Sequence, residues 1–184
     1  MRIISGAFKK KEIKIPKNGV RPTTGRIREM MFNSLGQNRI EGCHFLDLYA
    51  GSGAVGLEAY SWGARSVEFV EQNRASFSVL KQNVTNFLTT SGLDCFCMDV
   101  FQFLEHRADL NNQYDIIFAD PPYADGLMEK TLGAVLEYEV LKPDGLVVFE
   151  LDGRDKSEPG GNWQIVKEKG GQRKSTRLLF LARA

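Results

Sequence analysis

A chain of 184 residues that is 42% hydrophobic and 10% aromatic holds enough apolar material for one well-packed domain with a small appendage, which excludes disorder. No apolar run is long enough to span a bilayer, and Met1-Arg2-Ile3-Ile4-Ser5-Gly6 lacks the apolar core of a signal peptide, so the expectation is a cytoplasmic protein with no membrane partner. Net charge is only +1, yet residues 1–28 carry nine Lys or Arg against the single acid Glu12, leaving fifteen basic and twenty-two acidic residues for the rest. Such a split describes an acidic domain with a polyanion-binding arm.

In chain order, short strands are expected at 2–5 and 12–15, the second with Ile13, Lys14 and Ile15 alternating as on a half-buried strand. Arg21-Pro22-Thr23-Thr24 then reads as a helix entry with a threonine cap. Ile27, Met30, Met31 and Leu35 follow at helical spacing until Gly36. Lys9, Lys10, Lys11, Lys14, Arg21, Arg26 and Arg28 are the candidate nucleic-acid contacts of this segment.

From Cys43 onward strand, turn and helix alternate. Strands are expected at 45–49, 66–71, 94–98, 114–119 and 146–151. Of the helices between them, one carries Phe77, Leu80, Val84 and Leu88 on a single face and another spans 126–140. The alternation implies an α/β fold, a mostly parallel sheet with helices on both faces and ligands at the carboxyl ends of its strands. Segments 163–168 and 176–182 have no helix between them, so they should form an antiparallel hairpin at a sheet edge, turning at Lys169-Gly170-Gly171-Gln172. Residues 152–162 read as an exposed loop. Three cysteines, with Cys95 and Cys97 alternating on one strand face, argue for reduced, mostly buried thiols. His44 and His106 lack a cysteine pair at zinc spacing, so no metal is expected.

The strand at 45–49 runs into Ala50-Gly51-Ser52-Gly53-Ala54-Val55-Gly56, a G-x-G-x-x-G sequence opening a helix, and the next strand ends in Glu71, 20 residues past Gly51. Taken alone this is a dinucleotide fingerprint. Asp47, however, puts a carboxylate beside the loop, where a diphosphate would be repelled and a cationic group welcomed. S-adenosylmethionine carries an ammonium and a sulfonium and no phosphate. Asp47 and Gly51-Ser52-Gly53 suit its methionine part and Glu71 its ribose, while Asp99, followed by Val100 at a third strand end, suits its adenine amine.

Directly after the strand at 114–119 stand Asp120-Pro121-Pro122-Tyr123. Adjacent prolines fix φ near −65° and donate no N–H, so a stiff carbonyl, a carboxylate and an aromatic ring converge at one strand end. That set suits a flat heterocycle with an exocyclic amine, held by two acceptors and stacked on the ring. A Pro-Pro turn with Asp capping the next helix is the competing reading.

These residues together resemble the Rossmann-like class I methyltransferases, and among them the bacterial 16S ribosomal RNA guanine-N2 methyltransferases of the RsmD type. The likeness rests on Arg2-Ile3-Ile4-Ser5-Gly6, on the stretch from Arg21-Pro22-Thr23-Thr24 to Glu29, on Leu46-Asp47-Leu48-Tyr49-Ala50-Gly51-Ser52-Gly53 and on Asp120-Pro121-Pro122-Tyr123. Gly25, where the family usually carries Asp, and Asn73, where a second acid is common, depart from it. The resemblance implies a mixed seven-stranded sheet with a C-terminal hairpin, divided into a basic RNA-binding extension over 1–40 and a methyltransferase domain over 41–184. It implies a catalytic set of Asp120, Pro121, Pro122 and Tyr123, and S-adenosylmethionine held by Asp47, Tyr49, Gly51, Ser52, Gly53, Glu71, Asp99 and Val100. The implied substrate is N2 of guanine 966 in 16S ribosomal RNA, within the small subunit or an assembly intermediate, and the implied state is a monomer. An unperturbed Asp has a pKa of about 3.9, so orientation and charge stabilisation, rather than proton transfer, are the roles expected of Asp120.

Three rivals stay open on the residues. A nicotinamide-dependent oxidoreductase would use the same glycines and Glu71 but leave Asp120-Pro121-Pro122-Tyr123 and the basic arm unexplained. A non-enzymatic RNA-binding module leaves the strand-end acids without a task. Adenine-N6 and protein-glutamine methylation use a similar tetrapeptide, more usually beginning with Asn. Cytosine-C5 methylation needs a nucleophilic cysteine, typically beside a proline, a setting that Cys43, Cys95 and Cys97 lack.

Overall fold

The computed structural model describes residues 1–16, 23–87, 91–110, 112–122, 126–155, 157–170 and 176–184. Strands β1 (His44–Leu48), β2 (Ser66–Val70), β3 (Leu93–Phe96), β4 (Tyr114–Ala119), β5 (Leu141–Asp152), β6 (Trp163–Gly170) and β7 (Thr176–Arg183) form one sheet, ordered β3-β2-β1-β4-β5-β7-β6. The first five are parallel, and β7 runs antiparallel between β5 and β6. From β1 the chain winds outward to β3, and from β4 it winds the other way. The crevice between the carboxyl ends of β1 and β4 is therefore the topological switch point, where ligands bind in open sheets of this kind.

Helices α3 (Ala54–Ser61) and α4 (Arg74–Phe87) cover one face. There Leu57, Leu80, Val84 and Phe87 pack on Phe45, Val67, Phe69 and Phe118. Helices α5 (Val100–Asp109) and α6 (Leu127–Glu137) cover the other, with Phe103, Leu104, Leu132 and Val135 on Leu46, Ile117 and Val147. Helix α1 (Gly25–Leu35) starts at Thr24, whose hydroxyl accepts from the Ile27 N–H, and stops at Gly36, where φ is +81°; α2 (Gln37–Ile40) follows. Ile3, Ile13, Met31, Phe32 and Ile40 enter the same core as α3 and α4, so the basic segment is packed onto the sheet domain.

Three details differ from the sequence reading. The two N-terminal strands shrink to a single bridge, Arg2 to Glu12. Ile4 and Ser5 donate their backbone N–H groups to the Glu58 carboxylate of α3 at 2.9–3.1 Å, which diverts them from a ladder. Strand β5 begins at Leu141, which pairs with Tyr114; a register shift before Ile116 absorbs Lys142-Pro143-Asp144-Gly145, a stretch whose Pro and Gly suggest a turn. Cys43 is buried but Cys95 is half-buried and Cys97 exposed, because β3 ends at Phe96. Leu88, Gly171 and Gln172 lie outside the described residues.

Candidate active site

Strand register puts four carboxylates in a row. Leu48 is in register with Val70 and with Ala119, and Ala119 with Phe149. Glu71, Asp47, Asp120 and Glu150 therefore share one side-chain parity at the carboxyl ends of β2, β1, β4 and β5, with neighbouring strands about 4.8 Å apart. Asp47 and Glu71 are buried and Asp120 and Glu150 half-buried. Burial, opposed by the Gly56 N–H and reinforced by Glu71, pushes Asp47 up to about 8. Burial, then the charges of Glu150 and Asp47, push Asp120 up to about 8. Acids crowded at one sheet edge with their protonation so displaced mark a functional site.

The glycine loop is held from both sides. Glu71 accepts the Gly51 N–H at 2.8 Å and the Asn73 N–H at 2.7 Å, and Asp47 accepts the Gly56 N–H at 2.8 Å. Tyr49, at φ +59°, turns away from the row, and its hydroxyl lies 3.0 Å from that of Thr131 on α6. The third glycine of the motif is a packing residue: a Cβ on Gly56 would stand 2.3 Å from Phe69 Cε1 and 2.8 Å from Val67 Cγ1. Gly56→Ala should accordingly destabilise the fold by about 1–3 kcal/mol, read as a lowered midpoint in urea.

Two cavities flank the Asp120-Pro121 step, Asp120 lining one and Pro121 the other. A narrow crevice of about 30 Å³ lies over the loop, lined by Asp47, Tyr49, Gly51, Ser52 and Asp120 and roofed by Pro16 and Thr23 of the N-terminal segment. A wider cavity of about 350 Å³ opens beside it, lined by Pro121, Pro122, Met128 and Glu150, and it is within the size range of small-molecule sites. Among its described residues the crevice is lined by the acids Asp47 and Asp120 and by no arginine or lysine. That set disfavours a diphosphate and suits a cationic ligand, whose charge would draw both acids into their ionised form.

The comparisons with known proteins agree with this architecture. A family model described as "Conserved hypothetical protein 95" matches residues 1–179. The chain belongs to this family, the RsmD type. Ribosomal RNA small subunit methyltransferase D of Buchnera aphidicola subsp. Baizongia pistaciae is 34% identical over 173 residues, covering 92% of this chain and 86% of that protein. The protein of the same name from Escherichia coli K12 is 32% identical over 172 residues, 92% and 84%. Among solved structures, yhhF from Escherichia coli superposes with a TM-score of 0.86 at 29% identity over 100% of this chain and 97% of that one. A hypothetical protein of Thermus thermophilus reaches 0.82 at 27% identity, over 100% and 99%. The fold is that of the class I methyltransferases.

For this RsmD-family chain the remaining expected site residues divide by exposure and partner. Asp99 is the N-cap of α5, its Oδ1 accepting the Phe101 and Gln102 N–H groups at 2.8 and 3.3 Å, and Val100 is buried behind it. Lys9, Lys10, Lys14 and Arg26 are exposed. Lys11 is half-buried, its ammonium 5.0 Å from the Phe8 ring and 4.6 Å from that of Phe87. Arg28 corrects the reading that placed it on an RNA-facing surface: it is 1% exposed and ion-paired to Glu58 at 3.3 Å. Its Nη1 donates to the Thr23 carbonyl and its Nη2 to that of Arg2, so it fastens the N-terminal segment to α3. Tyr123 and Arg21 lie outside the described residues.

Sequence reasoning missed Glu150. Its only signal is an acid within the apolar run Leu146-Val147-Val148-Phe149-Glu150-Leu151, the same signal that Asp47 gives within Phe45-Leu46-Asp47-Leu48. Thr23 Oγ1 donates to its Oε2 at 2.7 Å.

Proposed function

We propose that the protein transfers a methyl group from S-adenosylmethionine to the exocyclic N2 of a guanine in small-subunit ribosomal RNA, guanine 966 in the numbering the family resemblance implies. The observation that carries this is the place of Asp120-Pro121: between a narrow acid-lined crevice over the glycine loop, whose chemistry suits a cationic group, and a wider cavity open to a second ligand. The names of the curated relatives support a ribosomal RNA substrate.

Bound S-adenosylmethionine supplies a methyl group on a sulfonium. Asp47 and the Gly51-Ser52-Gly53 turn hold its amino-acid end, Glu71 its ribose and Asp99 its base. Guanine N2 is a poor nucleophile because its lone pair is delocalised into the ring. Asp120 and the Pro121 carbonyl accept its two N–H bonds, hold the nitrogen in line with the methyl and favour its pyramidalisation. Asp120 would stabilise the positive charge that N2 gains on taking the methyl group from the bound cofactor. The N2 proton then passes to Asp120. With burial and Glu150 raising its pKa to about 8, Asp120 is a better matched acceptor than an ordinary carboxylate, which supports adding proton transfer to the orienting and charge-stabilising roles expected from sequence. Lys9, Lys10, Lys14 and Arg26 supply sequence-independent contacts to RNA phosphates.

The test is incubation with small subunits from an unmodified strain and isotopically labelled cofactor, followed by mass-spectrometric mapping of the labelled nucleotide. N2-methylguanine at one position is the expected product; a labelled adenine, cytosine or protein would refute the reading. A pH series adds a second check. Asp120 must be ionised to accept the bonds and the proton, so single-turnover rates should rise with pH and level off above about 8, whereas Asp120→Asn should give a low, flat profile.

A further inference from the structure

We propose that Glu150 is the specificity-determining residue of the substrate pocket, a second acceptor that takes N1–H of the target guanine while Asp120 and the Pro121 carbonyl take N2. The inference rests on the guanine-N2 reading above and names what selects that base.

Three observations carry it. Ala119 and Phe149 are in register, so Asp120 and Glu150 are the next residues on adjacent parallel strands and project from the same face, their backbones about 4.8 Å apart. Glu150 lines the 350 Å³ cavity together with Pro121 and Pro122, so it faces the space in which the amine-bearing base would lie. Its Oε2 accepts the Thr23 hydroxyl at 2.7 Å, and the Thr23 carbonyl is in turn held by Arg28 at 2.9 Å, which fixes the carboxylate's direction. A carboxylate has about four lone-pair sites, so a bond from Thr23 does not preclude one from a base edge.

The chemistry of the bases makes this pairing selective. Guanine presents two adjacent donors on its Watson–Crick edge, N1–H and the N2 amine. Adenine and cytosine each present an amine beside a bare ring nitrogen, which is an acceptor. Two neighbouring carboxylates match donor beside donor, and they set a lone pair against a lone pair for either of the other bases. A site built to bond a donor discriminates strongly against an analogue that lacks it, because its buried acceptor is left unpaired.

2-Aminopurine separates the two contacts, since it keeps the N2 amine and lacks N1–H. Small subunits would be reconstituted with 16S RNA carrying guanine or 2-aminopurine at the methylated position, and kcat/KM measured for each. The wild-type protein should prefer guanine by about 10–100-fold, the range for loss of a hydrogen bond to a charged group. Glu150→Gln can turn its amide N–H toward the bare N1, so its preference should fall to within about threefold of unity, a relaxation larger than a neutral hydrogen bond alone would produce. The preference is a ratio measured on one preparation, so a reduced folded fraction cancels from it. Equal use of both RNAs by the wild type, or an unchanged preference in Glu150→Gln, would overturn the proposal while sparing the guanine-N2 reading. Failure of the wild type to methylate the guanine RNA would remove both.

Discussion

Asp120→Ala should lower methyl transfer by about 10³-fold or more, because the change removes both an electrostatic stabiliser of the charge forming on N2 and the acceptor of its proton. Either effect alone contributes on the order of 10²-fold or more, and the two act on the same nitrogen at the same moment. Affinity for S-adenosylmethionine should survive. Asp120 is not among the groups that hold the glycine loop, which hangs on Glu71 through Gly51 and on Asp47 through Gly56. Calorimetric titration of the cofactor and single-turnover transfer to small subunits give the two readings. Loss of affinity in step with the rate would show that Asp120 holds the cofactor rather than the amine, and a rate within tenfold of wild type would show that it does not act on N2.

The row of acids shows how far residue types carry and where register has to take over. Asp47 is legible because its apolar run leads straight into the glycine loop, Glu71 because it closes one and stands 20 residues past Gly51, and Asp120 because Pro121-Pro122 follow it. Glu150 stands inside the long strand β5 and is followed by Leu151 and Asp152. Only the pairing of Phe149 with Ala119 reveals that it faces the same cavity as Pro121. Ionisation is hidden in the same way. A carboxylate's ordinary pKa follows from its type, whereas the shift of Asp120 follows from burial and from Glu150, a neighbour thirty positions along the chain. Counting charge fails for a related reason. It registers nine basic residues in the first 28 and is blind to which of them are buried, so Arg28 is assigned with Lys9, Lys10 and Lys14 although its guanidinium is spent inside the protein. At β5 the Pro-Asp-Gly sequence promises a turn, and the ladder instead tolerates it as an irregularity beside the Tyr114–Leu141 pair.

Arg28→Met should reduce stability by about 3–5 kcal/mol, the usual consequence of removing one partner of a buried ion pair. For a chain of this size that corresponds to a fall in Tm of roughly 6–20 °C. The loss has three sources. Glu58, itself 1% exposed, loses its cationic partner, and the carbonyls of Thr23 and Arg2 lose their guanidinium donors. Burial already pulls the Arg28 pKa down, and Glu58 pulls it back up, so the charge is maintained by that carboxylate. Arg28→Lys keeps a charge but loses the fork that spans Glu58 and two carbonyls, so it should fall between wild type and Arg28→Met. Glu58 also accepts the Ile4 and Ser5 N–H groups, so the double replacement Arg28→Met with Glu58→Leu should recover only part of the loss. The same variants separate a structural arginine from an RNA-binding one. If Arg28 touched a phosphate, Arg28→Lys would retain most of the contact, and removing the charge would lower the slope of log K against log salt by about 0.7–0.9. A buried Arg28 predicts the reverse: Arg28→Lys is destabilised in thermal unfolding, while the salt slope of Arg28→Met, measured on its folded fraction, stays at the wild-type value. Lys14→Ala, on the exposed side of the same segment, should lower the slope and leave Tm nearly unchanged.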